Sequence, residues 1–367
     1  MKKQNPEQIL IFNARVLKEN RIIKNAWVLI NKNKIQAIGT GKKNITNAVK
    51  INAKNNFLAP GFIDLHIHGN IKKISAQQAK SGTTGFLLGL HTDKISSFKA
   101  KIKSAQQKVL KGAECLGFHF EGPFINPDMA GAQPGKNILA PGKKNINEFL
   151  KNLPSGIKII SLACELKGAF NLIKKLKQNK IIAALGHTNA SIEQAEKSVD
   201  LGINYAIHTF NRMSSVSSRN PGVVTQVLLD DRVYAEIIAD GYHVHPALIR
   251  LLVKNKPRDK IVLITDSVNA MEGLNLKKIK GVYCTQTHTI AGSNLTMLDA
   301  VKNMMQYTGI SINDAVKMAS FNPATVIGVN KKKGKIKNNF DADFVMFDDN
   351  FKCKMTMISG KIVYNNI

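Results

Sequence analysis

At 367 residues, 44% of them hydrophobic, the chain is long enough for one large core with a smaller companion. Its net charge of +28 comes from lysines spread among Asn and Ile, as in IKKLKQNK and NKKKGKIKNN, rather than from a basic stripe with arginine and aromatics, so nucleic acid is not an expected partner. No run approaches the roughly 20 apolar residues that cross a bilayer, and the apolar part of MKKQNPEQILIF is too short for a signal peptide, so a cytoplasmic protein without a membrane partner is expected.

In chain order, residues 9–58 read as short strands, ILIFNARVL, AWVLINKN and KIQAIGT, separated by polar turns. The same grammar returns at the end in ADFVMFDDN, KMTMIS and KIVYNN. The two ends together predict a small β-domain over 1–59 and 330–367. Between them, strand-like runs at 62–68, 84–90, 115–121, 157–163, 181–185, 205–208, 235–239 and 261–265 alternate with polar-apolar helical stretches. Helices are expected at 96–112, 168–180, 191–202 and 246–255, then at 296–308 and 311–319. Eight such strand-helix units predict a parallel α/β barrel over 60–329. Cys115, Cys164, Cys284 and Cys353 stand far apart with no CxxC pair, which argues against a disulfide framework or a cysteine metal site.

Polar residues gather where these strands end, the face on which barrels of this kind build their sites. The apolar run from Cys115 to Phe120 stops at Glu121, before Gly122-Pro123, and a carboxylate buried there needs a metal ion or a basic ligand. His66 and His68 close the first strand two residues apart, and so project to one side. His187 and His208 follow the fifth strand and end the sixth, Asp240 and His243 follow the seventh, and Asp266 follows the eighth. Taken singly, each histidine reads as readily as a satisfied core or surface residue, and Asp266 as a cap on the next helix or turn. Together, imidazoles and carboxylates are the ligand set of a catalytic divalent metal with an open position for water. Hydrolysis then needs one group to move the water's proton, and Asp266 is the choice for it.

The ordered set PGFIDLHIHG, GTTGF, HFEGPFINPDMAGAQPG, GHTNA, HTFNRM, RNPGVV, IADGYHVHP, LITDSVNA and AGSNLTM resembles the N-acetylglucosamine-6-phosphate deacetylases of the amidohydrolase superfamily, from about residue 9 to residue 364. The resemblance implies a metal-dependent (β/α)8 TIM-type barrel joined to a small β-sandwich domain built from both termini. It implies removal of acetate from N-acetyl-D-glucosamine 6-phosphate in amino-sugar metabolism. Carried onto this chain, it makes Glu121, His187 and His208 the ligands of the principal metal, and Asp266 the general base and then acid. His66 and His68 match the HxH of relatives that hold a second metal. One or two divalent ions per subunit are therefore expected, zinc first, with iron(II) or cobalt(II) as alternatives.

The same resemblance sets the sugar against Ala132 and Gln133, the turn from Asp240 through Tyr242 to His243, and the loop Ile290, Ala291, Gly292. His243 would touch the acetamide or a hydroxyl. The phosphate would fall near Asn211 and Arg219, the latter supplied by the neighbouring subunit of a homodimer, with Arg212 beside it either reinforcing the phosphate site or obstructing it. Three features depart from the family pattern: a short connection after His68, Arg212 in place of a small residue, and Cys164 in place of a proline. Two other readings are an amidohydrolase acting on N-acetylgalactosamine 6-phosphate or an N-acyl amino acid, and a non-catalytic descendant that binds a sugar phosphate.

Overall fold

The computed structural model describes residues 8–108, 111–271 and 276–367. Residues 1–7 of the expected small domain and 109–110 of the expected helix 96–112 lie outside the described residues. The chain opens with β1 (Gln8–Lys18), β2 (Arg21–Asn31), β3 (Lys34–Thr40), β4 (Ala48–Asn52) and β5 (Phe57–Pro60). It then enters eight strands that pair in parallel with their sequence neighbours: β6 (Phe62–Gly69), β7 (Thr83–His91), β8 (Glu114–Glu121), β9 (Ile157–Leu162), β10 (Ile182–Leu185), β11 (Tyr205–Ala206), β12 (Tyr234–Ile238) and β13 (Ile261–Ile264). Their residues are buried on both faces, as a parallel sheet covered by helices requires.

Helices α1 (Ile71–Ala79), α2 (Ile95–Gln106), α3 (Lys143–Lys151), α4 (Ala169–Gln178), α5 (Ile192–Asp200), α6 (Val223–Leu229) and α7 (Pro246–Asn255) fill the crossovers. Sequence patterning alone did not single out α3 or α6. Asn70 caps α1 one residue after β6 ends, so the short connection after His68 is a single residue. Helix α2 stops at Gln106, short of the expected 112, because the Gly112 and Ala113 N–H groups are drawn to the Ser75 hydroxyl and carbonyl on α1.

The eighth strand is broken at Asp266. The residue takes a left-handed φ of 47°, and the chain continues as β14 (Ser267–Ala270), which pairs with β6 at Ile67 and Gly69 and so closes the ring. The Asp266 N–H also donates to the His66 carbonyl at 2.8 Å. An antiparallel ribbon of β15 (Lys277–Ile279), β16 (Val282–Cys284) and β17 (Ile290–Ser293) follows, unforeseen from the sequence, before α8 (Met297–Thr308), α9 (Ile312–Ala319) and α10 (Phe321–Val326).

The last strands, β18 (Phe344–Phe347), β19 (Cys353–Ile358) and β20 (Lys361–Asn365), rejoin β1 to β5 in one eight-stranded sheet, with β18 pairing β5. Period-two alternation divides its side chains between two cores. Phe344 and Met346 enter a small core with Ile11, Val28 and Met357, while Val345 and Phe347 join the barrel core. Lys333 links the domains, pairing with Asp343 at 2.8 Å and with Glu114 of β8 at 3.1 Å. All four cysteines are free thiols; burial, with Glu165 beside it, pushes Cys164 up to about 12. Among the described residues no helix is long and apolar enough to cross a membrane.

Candidate metal centre

Strand β6 carries three polar residues at period two, Asp64, His66 and His68, all buried and facing the barrel axis at rising height. Glu121 ends β8, and His187 and His208 lie just beyond β10 and β11. Both histidines and Asp266 have positive φ, at 49°, 28° and 47°, a backbone state costly for a non-glycine residue and concentrated at functional sites. Fixed partners hold it in place: the Asn126 N–H bonds the His187 carbonyl, and the His208 N–H bonds Glu236 at 3.0 Å.

Glu121 Oε1 lies 2.8 Å from His187 Nε2 and 3.2 Å from His208 Nε2, and the two nitrogens are 3.2 Å apart. The opposite ring nitrogens face carbonyls: His187 Nδ1 is 2.8 Å from Met129 O, and His208 Nδ1 is 3.1 Å from Asn211 O. A carbonyl only accepts, so in the neutral rings both protons sit on Nδ1 and both Nε2 lone pairs point at the carboxylate. Three acceptors thus converge on one point, an arrangement that a bound cation stabilises.

Beside this group, His68 Nε2 lies 3.4 Å from both Glu121 Oε2 and Asp266 Oδ1, and His66 Nε2 lies 3.8 Å from Glu121 Oε1 and from Asp266 Oδ1. Neither Nε2 has a hydrogen-bond partner. Against the penalty of burial, His66 and His68 keep the Asp266 carboxyl well below its ordinary value, so it is ionised at neutral pH and able to take a proton.

A cavity of about 390 Å³ opens over these groups. Glu121, His187, His208 and Asp266 form its floor, and His66 and His68 lie beneath it. Ala132, Gln133, Asn211, Arg212 and His243 stand along its walls, with Ile290, Ala291 and Gly292 of β17 on the far side. Asp240 accepts His243 Nδ1 at 2.6 Å and the Tyr242 and His243 N–H groups at 2.8 Å, leaving His243 Nε2 for the cavity. Arg212 is the one lysine or arginine lining the cavity among the described residues, and it makes no ion pair among them. Tyr242 does not line the cavity; it packs by Gly281 and is half exposed. Arg219 also lies outside the cavity, exposed on the loop after Met213.

Sequence reasoning missed several residues. His91, at the end of β7, lines the cavity and stacks on His68; its signal was the same strand-end position as the other histidines. His288 and Thr289 enter from the unforeseen ribbon. Glu236, buried in β12, binds His66 Nδ1 at 3.1 Å and the Tyr205 hydroxyl at 2.7 Å, and no local pattern separates it from a surface glutamate. Glu165, next to Cys164, accepts from Asn126 Nδ2 and the Thr188 hydroxyl, tying together the loops after β8 and β10.

The chain belongs to the amidohydrolase family, whose model it matches over residues 57–363. It is 32% identical, over 98% of both chains, to an N-acetylglucosamine-6-phosphate deacetylase of Bacillus subtilis (strain 168). The structure of N-acetylglucosamine-6-phosphate deacetylase from Pasteurella multocida superposes with a TM-score of 0.88 at 29% identity, covering 97% of this chain and 99% of that one. A Mycobacterium smegmatis N-acetyl-D-glucosamine-6-phosphate deacetylase mutant, in complex with N-acetyl-D-glucosamine-6-phosphate, superposes with a TM-score of 0.86 at 25% identity over 98% and 100% of the chains.

Proposed function

We propose that this chain hydrolyses the acetamide of N-acetyl-D-glucosamine 6-phosphate to D-glucosamine 6-phosphate and acetate. The observation that carries the reading is the meeting of Glu121 Oε1 with two Nε2 lone pairs beside an ionised Asp266, on the floor of a cavity that Arg212 lines. Glu121, His187 and His208 hold a divalent ion, zinc first and iron(II) or cobalt(II) as alternatives. When bound, such an ion acidifies a water and polarises the amide carbonyl.

Asp266 takes the proton of the attacking water as its oxygen bonds to the acetamide carbon. It returns that proton to the amine nitrogen as the carbon-nitrogen bond breaks. His243, oriented by Asp240, offers Nε2 to the acetamide or a sugar hydroxyl. Ala132, Gln133 and the Ile290–Gly292 segment of β17 flank the sugar. Asn211 and Arg212 meet the phosphate, the guanidinium fork suiting two phosphate oxygens. Arg219 reaches the site of a neighbouring subunit in a homodimer, and Tyr242 stands at the rim. Its exposure outside its own cavity supports that role for Arg219. A charged sugar phosphate does not cross membranes unaided, which favours a cytoplasmic enzyme.

The test is acetate release from N-acetylglucosamine 6-phosphate by zinc-loaded and chelator-stripped protein, with N-acetylgalactosamine 6-phosphate and unphosphorylated N-acetylglucosamine alongside. Metal-dependent release favouring the first substrate is expected. Folded, metal-loaded protein that releases no acetate from any of them overturns the reading.

A further inference from the structure

Strand β11 is only Tyr205 and Ala206, which pair with Tyr234 and Ala235 of β12. His208 lies past the last of these pairs and carries a φ of 28°. A positive φ on a non-glycine residue persists only where the surroundings impose it, and two strand residues impose little. Glu236, farther along β12, supplies what the ladder lacks. Its Oε2 accepts the His208 N–H at 3.0 Å, and its carbonyl accepts the Thr209 N–H at 2.9 Å. Two consecutive N–H groups are thus bound by one residue, the first by its side chain and the second by its backbone.

The same Oε2 lies 3.1 Å from His66 Nδ1, so a single oxygen joins the His208 backbone to a ring on β6. Oε1 accepts the Tyr205 hydroxyl at 2.7 Å, which fixes the rotation of the carboxylate. Glu236 is fully buried and does not line the cavity, so it touches neither solvent nor substrate. A buried N–H needs an acceptor, and Glu236 is the one given to His208.

We propose that Glu236 is a positioning residue for the metal centre: its Oε2 holds the His208 backbone in the left-handed turn that aims Nε2 at Glu121 Oε1. The proposal rests on the ligand set argued above, in which His208 Nε2 stands 3.2 Å from that oxygen. The role calls for an acceptor at the Oε2 position and not for a negative charge. A glutamine meets that need, because its oxygen can face His208 and His66 while its amide faces the Tyr205 hydroxyl, which accepts as well as donates. An aspartate does not, because its oxygens are withdrawn by one methylene.

The experiment measures zinc affinity by competition with a chromogenic chelator, and the urea midpoint beside it, for wild type, Glu236→Leu, Glu236→Asp, Glu236→Gln and Tyr205→Phe. Glu236→Leu and Glu236→Asp should weaken zinc binding about 10- to 100-fold, the usual worth of a group that orients a metal ligand. Glu236→Gln should stay close to wild type. Tyr205→Phe removes a hydroxyl from the same buried network but leaves both Oε2 bonds, so its urea midpoint should fall while its zinc affinity holds. Glu236→Asp keeps the test decisive if Glu236→Leu does not fold. Wild-type affinity in folded Glu236→Asp, or equal losses in Glu236→Gln or Tyr205→Phe, overturns the proposal. Wild type that binds no zinc overturns the ligand set on which it rests. Wild type that binds zinc yet releases no acetate overturns the proposed function alone.

Discussion

Asp64 fastens the first barrel strand to the eighth: its Oδ2 accepts the Thr265 hydroxyl at 2.6 Å and its Oδ1 the Thr265 N–H at 3.2 Å. The same Oδ1 accepts the His66 N–H at 3.2 Å. Asp64→Ala leaves these donors buried and unpaired, at a cost of about 3 kcal/mol. Urea unfolding should show that loss, and because Asp266 is the next residue, the turnover of the folded variant should fall too. A wild-type midpoint would mean that the barrel closes without this contact.

Asp266→Asn keeps the shape of the side chain and removes its basicity. Turnover should fall by about 10²- to 10⁴-fold, the usual worth of a positioned proton acceptor, with metal content at His187 and His208 preserved. Normal turnover would exclude the assigned role.

On the proposed reading, Arg212 and Arg219 divide the phosphate between one chain and its neighbour. Arg212→Ala should raise KM for the phosphorylated sugar about 10- to 100-fold, by loss of a charge-assisted hydrogen bond, and leave the unphosphorylated sugar unaffected. Arg219→Ala should do the same, but mixing it with Asp266→Asn should recover activity, because in a mixed dimer one site has both groups. Failure of the mixture to exceed its two components would place Arg219 outside the neighbouring site.

Lys256 is buried and donates to the Asp230 carbonyl at 2.6 Å. Burial brings its pKa down from 10.5 to about 8, against the pull of Asp231 and Asp230. Between those two pH values the unfolded chain carries a proton that the folded chain has released, so stability rises with pH across the window. Lys256→Met should remove most of that rise in denaturation midpoints measured from pH 8 to pH 10.5. An unchanged slope in the variant would trace the dependence to other groups.

The amino-acid sequence alone determined the eight strands, their order and the polar residues at their ends, because parallel strands buried on both faces read as apolar runs and their chain order equals their spatial order. Glu121, His187, His208 and Asp266 were legible for that reason: each interrupts or follows such a run. Only the tertiary structure decided what meets them. Glu236 reads as an ordinary glutamate in YAEII, yet 170 residues separate it from its partner His66. His91 became part of the site only when β7 and β8 paired at His91 and Glu121. The ribbon from Lys277 to Ser293 gave no strand signal, because its short strands gain their order from each other and from β14. Position along the chain thus sufficed for the face on which chemistry occurs; which atoms converge there depended on strand register and on contacts between residues far apart in sequence.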